Sequence, residues 1–256
     1  MNRSLIDEIY RVEPGLRIWR IAHAGFLIKY RDIVVIIDPA IEIRDDATPY
    51  LSEHSENIRL LRKLPLLARD LRNVDLVLVS HADEDHCGSK TIAMLEPKTH
   101  VFVAPPETSS RLRGIGVSYA KIRRAYFNEP VYYGEVRVVP TEAEHHLPTG
   151  CSCGFYIETP VGSIWYTGDT PVLPVHYDVT PPNIFILPIA KHVVGSVKGG
   201  QLADHLRVRH IIPCHYGTYD GGGAWASGNV EELKKHVQNP EKRIHILELG
   251  DMFHLQ

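Results

Sequence analysis

The sequence predicts a layered α/β domain, and three observations carry that reading. Short apolar runs rich in Val and Ile recur along the chain, stretches with helical spacing stand between them, and reactive polar side chains follow the ends of several runs. With 256 residues and no internal repeat or low-complexity tract, the chain is expected to form one domain over residues 1–256.

Strands are expected at "IVVIID" (33–38), "VDLVLVS" (74–80), "HVFVA" (100–104), "VRVVP" (136–140), "GFYIET" (154–159), "SIWYTG" (163–168), "IFILPI" (184–189) and "HIIPC" (210–214), where β-branched and aromatic residues cluster. Helical spacing marks 58–71, 91–95, 109–115, 199–206 and 230–237, the first interrupted by Pro65 and so kinked or split in two. The polar stretch 41–57 reads as a loop over a site, and the glycines of 218–229 mark a surface loop.

Composition narrows the function classes. A formal charge of −3 with no cluster of five or six Lys or Arg argues against a nucleic-acid partner, since phosphate binding needs a basic footprint. No apolar stretch reaches the ~20 residues of a membrane-spanning helix. Four cysteines and no hydrophobic leader point to a reducing cytoplasm, with all four thiols free and mostly buried. A small-molecule substrate is expected, and a homo-oligomer is compatible with the sequence.

"SHADEDHCGS" (80–89) places two histidines, two aspartates and a glutamate between His81 and His86, directly after an apolar run. His145 and His146, Asp169, Lys191 and His192, and His215 follow other runs. Strand ends in α/β folds deliver side chains to one rim, so these distant groups are expected to converge. Carboxylates at Asp83, Asp85 and Asp169 sharing a small volume would repel unless a cation neutralised them, and imidazoles beside them suit Zn, Mn or Fe better than Ca or Mg. His81, Asp83, Asp85, His86, His145 and His215, with Asp169 as a bridge, exceed what one four-coordinate ion can use; two ions sharing a water can.

"HADEDH" resembles the H-x-H-x-D-H signature of the metallo-β-lactamase superfamily. "YTGDT" (166–170) resembles its bridging-aspartate motif, and "PCHYGTY" (213–219) its final metal histidine. "IAHAGFLIKY" (21–30) and "VVIIDP" (34–39) resemble the branch that includes ascorbate-phosphate lactonase. The resemblance runs from about Ile18 to Thr218. It implies an αββα four-layer sandwich of two mixed β-sheets flanked by helices. It also implies one ion held by His81, Asp83 and His145, another by Asp85, His86 and His215, and Asp169 between them. The family's second histidine is Asp83 here, an oxygen donor that favours a harder ion and leaves a single-ion site open.

Other positions carry two readings each. His145 fits the family spacing better than His146. Asp38 is either a ligand or a carboxylate that orients ligand imidazoles from behind. His23 lies near the pocket and meets substrate, or is one more strand histidine. Lys191, His192 and Lys198 meet a substrate anion, or line a solvated loop. The function expected is hydrolysis by a metal-bound hydroxide, oriented by Asp85, of an ester, lactone or related bond in a small anionic substrate. The alternatives are a small or lipid phosphodiesterase and a metal-binding module without catalysis.

Overall fold

The computed structural model describes residues 4–41, 59–145, 150–220 and 228–256. In chain order the described strands are β1 (Leu16–Arg20), β2 (Phe26–Tyr30), β3 (Ile33–Ile37), β4 (Arg59–Leu60), β5 (Val74–Leu78), β6 (Thr99–Ala104), β7 (Ile122–Arg124), β8 (Val131–Tyr133), β9 (Val136–Glu142), β10 (Cys153–Thr159), β11 (Gly162–Tyr166), β12 (Ile184–Pro188), β13 (His210–Cys214), β14 (Tyr219–Asp220) and β15 (Met252–Leu255). The helices are α1 (Leu5–Ile9), α2 (Ser89–Leu95), α3 (Pro106–Ile115), α4 (Ser196–His205), α5 (Val230–Lys235) and α6 (Pro240–Arg243). None of the described helices is long and apolar enough to cross a membrane.

Two mixed sheets form the frame. The first has the order β15-β1-β2-β3-β5-β6-β7, the second β13-β12-β11-β10-β9-β8. Strands β3, β5, β6 and β7 run parallel to one another, as do β11, β12 and β13, while hairpins supply the antiparallel parts.

Because successive strand residues face opposite sides, a strand covered on both faces must be apolar at every position. The run Ile33–Ile37 shows this directly. Val35 and Ile37 enter a central core with Phe155, Ile157, Ile164 and Ile186 of the other sheet. Val34 and Ile36 face outward onto Ile92, Leu95 and Leu112 of α2 and α3. On the second sheet Trp165, Phe185 and Leu187 face outward onto Leu202 of α4 and Leu233 of α5. The result is helix, sheet, sheet, helix, the αββα sandwich expected.

The segment expected to be helical over 58–71 is not. Its described part, 59–71, holds the short strand β4 and a single 3-10 turn at Ala68–Asp70. Pro65 disfavours helix at the residue before it, and the irregular segment instead inserts Leu64, Leu66, Ala68 and Leu71 into the outer core. The loop expected at 41–57 lies outside the described residues after Ile41. Of the loop expected at 218–229, Tyr219 and Asp220 form β14, which pairs with β4, and 221–227 lie outside the described residues. All four cysteines are free, and only Cys151 is not buried.

Gly168, between β11 and Asp169, has φ +64°, and a Cβ there would stand 2.8 Å from the Cys153 carbonyl oxygen and 3.1 Å from Ser80 Cβ. Both the backbone conformation and the space therefore require glycine. Gly168→Ala is expected to destabilise the metal-free protein by roughly 2–4 kcal/mol, read as a lowered urea midpoint with unchanged slope; an unchanged midpoint would contradict this packing.

Candidate metal centre

The directions of the strands explain why distant motifs meet. β1, β3 and β5 point the same way in the first sheet, and β9, β11, β12 and β13 point the same way in the second. Asp38 follows β3, the Ser80–His86 segment follows β5, His145 follows β9, Asp169 follows β11, His192 follows β12, and His215 follows β13. The turn holding His23 follows β1.

At the base of this rim stands Asp38, fully buried, with φ +44°. Its Oδ1 accepts from the Ser80 backbone N–H at 2.7 Å. Its Oδ2 accepts from Ser80 Oγ at 2.6 Å, Tyr166 Oη at 2.7 Å and His86 Nδ1 at 2.7 Å. Burial alone would raise the Asp38 pKa, but the His86 imidazole and these hydrogen bonds outweigh it and hold the carboxyl below its usual range.

This network sets the tautomers above it. The His86 Nδ1–H is spent on Asp38, so His86 Nε2 presents a lone pair in the neutral ring. Ser80 gives its one hydroxyl proton to Asp38, so at 2.9 Å it accepts from His81 Nδ1–H, and His81 Nε2 is likewise a lone pair.

Both Nε2 atoms face carboxylates or further imidazoles. His86 Nε2 lies 3.2 Å from His215 Nε2 and 3.5 Å from both Asp85 Oδ2 and Asp169 Oδ1. His81 Nε2 lies 3.4 Å from Asp83 Oδ2, which is also 3.2 Å from His145 Nε2. Asp169 Oδ1 is buried, 3.1 Å from His215 Nε2, and has no hydrogen-bond partner among the described residues. Acceptors crowded together out of water repel unless protons or cations stand between them.

The shifts in acidity follow from this crowding. Burial opposes charge on His86, yet Asp169, Asp85 and Asp38 lift its pKa well above the ordinary imidazole range. Burial, helped by the Asp169 and Asp83 charges and only partly countered by His86, raises Asp85 to about 6. His215 is lowered to about 3 by burial and by the neighbouring His86, His192 and His81, against the pull of Asp169. Burial would raise Asp169 and Asp83, but the imidazoles around each pull both down.

Among the described residues, three sets of converging atoms have the chemistry and spacing of metal ligands: His81, His145 and Asp169; Asp85, His86 and His215; Asp169, His192 and His215. The structure thus brings together six of the seven residues expected to bind metal. Asp83 touches His81 and His145 but belongs to none of the three sets, and its side chain is 38% exposed, so it stands at the rim. His192, expected to meet substrate, has Nε2 3.7 Å from Asp169 Oδ2 and so stands closer to the metal groups than that reading required. His146 lies outside the described residues. Lys191 and His192 line an open cleft of about 570 Å³ beside Asp169, with Lys198, Val193 and Pro171.

Sequence reasoning missed the supporting residues. Ser80 and Tyr166 adjoin the motifs and were detectable only as hydroxyls beside them. His176 donates its Nε2–H to the Glu142 carbonyl at 3.0 Å and accepts from Leu173 N at 3.2 Å, tying the segment after Asp169 to the end of β9. Thr170 Oγ1 accepts from Glu144 N at 3.0 Å, a second tie beside His145.

Removing the Asp38 charge is expected to act through His86. Asp38→Asn should weaken metal binding by about 10–100-fold while leaving the fold intact, checked by competition with a chelating dye and by circular dichroism. In the metal-free protein the surrounding carboxylates favour a proton on His86, and below about pH 6 Asp85 takes one up as well. Metal must expel these protons, so affinity should fall with falling pH, more steeply by one proton below about pH 6. Asp85→Asn should remove that steepening.

Comparisons with known proteins show the family and the fold. Residues 34–216 match the model of the beta-lactamase superfamily domain. A UPF0173 metal-dependent hydrolase of Pyrococcus furiosus is 28% identical over 206 residues, covering 73% of this chain and 84% of its own length. Another from Korarchaeum cryptofilum is 25% identical over 246 residues, covering 94% and 100%. The fold matches that of an isothiocyanate hydrolase from Delia radicum gut bacteria with a TM-score of 0.74 at 17% identity, over 93% of this chain and 99% of that one. The chain belongs to the metallo-β-lactamase superfamily, among relatives named as metal-dependent hydrolases.

Proposed function

We propose that the chain works as one domain that hydrolyses an ester, lactone or related bond in a small anionic substrate with the help of two divalent ions. His81, Asp83 and His145 would hold one ion, Asp85, His86 and His215 the other, and Asp169 would bridge them. The mixed nitrogen and oxygen donors suit Zn or Mn, and the carboxylate at Asp83 also admits Fe.

One observation carries the reading. The hydrogen bonds of Asp38 and Ser80 turn the Nε2 atoms of His86 and His81 toward carboxylate oxygens within 3.5 Å, an arrangement that a cation satisfies. Bound there, divalent ions supply an acidified water and stabilise negative charge that builds on the oxygen of the scissile group.

The chain's own residues do the rest. Asp85 accepts a hydrogen bond from the attacking water and aims it at the carbonyl or phosphoryl centre. Asp38 keeps His86 from rotating. Nucleophilic serine or cysteine is not required, which fits the buried state of Cys87, Cys153 and Cys214. Lys191, His192 and Lys198 around the cleft favour a carboxylate or phosphate on the substrate, and the same arrangement accommodates a small phosphodiester.

A panel of chromogenic esters, lactones and small phosphodiesters, offered to Zn-loaded or Mn-loaded protein, tests this reading. At least one class should turn over, and Asp169→Ala should lower kcat by at least about 10²-fold. Metal uptake without turnover of any member would identify a metal-binding module in place of an enzyme.

A further inference from the structure

His23 sits in the turn between β1 and β2, at the rim where the metal groups gather. Its carbonyl accepts from the His215 backbone N–H at 3.2 Å. Its ring packs against those of His215 and Tyr219, with centroids 4.4 and 5.1 Å away. These contacts use the backbone and the ring faces only. A phenylalanine would serve them equally well.

The position nevertheless carries two ring nitrogens, at 1% exposure, and neither has a hydrogen-bond partner among the described residues. Buried polar atoms nearly always have one, and a neutral imidazole offers one N–H and one acceptor. His23 belongs to none of the three sets of converging ligand atoms, which separates it from the metal cage. Its missing partner is therefore expected to arrive with a ligand.

We propose that His23 is a further catalytic residue of this site, whose ring N–H donates a hydrogen bond to an oxygen of the bound substrate beside His215. The proposal rests on the hydrolase reading above. A fixed donor in a water-poor site gains strength as negative charge grows on the oxygen it faces, while its proton stays in place.

The test compares the parent with His23→Leu, which removes the donor, and His23→Gln, which restores an N–H. Each is loaded with Zn and measured for metal equivalents, for affinity toward inorganic phosphate as an oxyanion probe, and for kcat and KM on a chromogenic compound that the parent hydrolyses. The Leu variant should bind the same metal, hold phosphate about tenfold more weakly and lose roughly 10²–10³-fold in kcat with little change in KM. The Gln variant should recover at least about tenfold of that loss. Parental kcat in the Leu variant, loss of metal with activity, or a Gln variant no better than Leu would overturn the proposal.

Nitrogen-15 shifts of the parent's imidazoles keep the test decisive if the Leu variant does not fold. Phosphate should move a His23 ring resonance, and an unmoved one would overturn the proposal. A parent that hydrolyses nothing would sink the hydrolase reading, while the phosphate measurements would still judge His23.

Discussion

Buried negative charge that has to be compensated is the constraint on which this structure turns. Asp38, Asp85 and Asp169 all lie at 3% exposure or less around His86, an imidazole with no exposed surface. Carboxylates in such surroundings either take up protons, pair with cations, or push their neighbours' acidities apart, and all three responses occur here. Asp38 is satisfied by four donors. Asp85 is driven toward the protonated form. Asp169 depends on the imidazoles around it. Divalent ions would replace those protons and relieve the crowding at once, so the same feature that strains the metal-free site prepares it for metal.

The two-sheet frame exists to hold that crowding in place. Central strands filled with Val and Ile on both faces leave few ways to shift register, because a slip of one residue would exchange the inner and outer cores. The side chains at their ends are accordingly held by a rigid platform and not by loops alone. Cross-ties reinforce it: Tyr166 of the second sheet reaches Asp38 of the first, and the Ser80 carbonyl accepts from Cys153 N at 2.9 Å. His215, at φ +60° just past β13, and Asp38, at φ +44° just past β3, bend away from their strands in the left-handed region. Such conformations cost energy and gather where geometry serves a site.

Much of this was readable from residue order. Strands such as Val74–Leu78 and Ile184–Pro188 are apolar throughout, and the site motifs follow them directly. What escaped did so for physical reasons. β1 and β2 contain Arg17, Arg20 and Lys29, charges that interrupt the apolar pattern, yet all three are buried. Arg20 is held by the carbonyls of Leu247 and Tyr216 and by Thr218, and Lys29 by the Asp32 carbonyl, partners that no local pattern discloses. Over 58–71 the leucine spacing suggests a helix, but in the described part tertiary burial of Leu64 and Leu66 around Pro65 prevails. At the site, motif spacing found the clustered histidines and aspartates but could not place Asp83 at the rim or bring His192 to Asp169, since both depend on how the loops after β5 and β12 fold back.

Diffraction from crystals soaked in Zn or Mn, with data collected on both sides of the metal's absorption edge, tests the central claim most directly. The account predicts two anomalous peaks flanking the Asp169 carboxylate, one near His81 and His145, the other near His86 and His215. A single peak would contradict the paired-ion arrangement. Peaks found only elsewhere, with this cluster empty at saturating metal, would contradict the account as a whole.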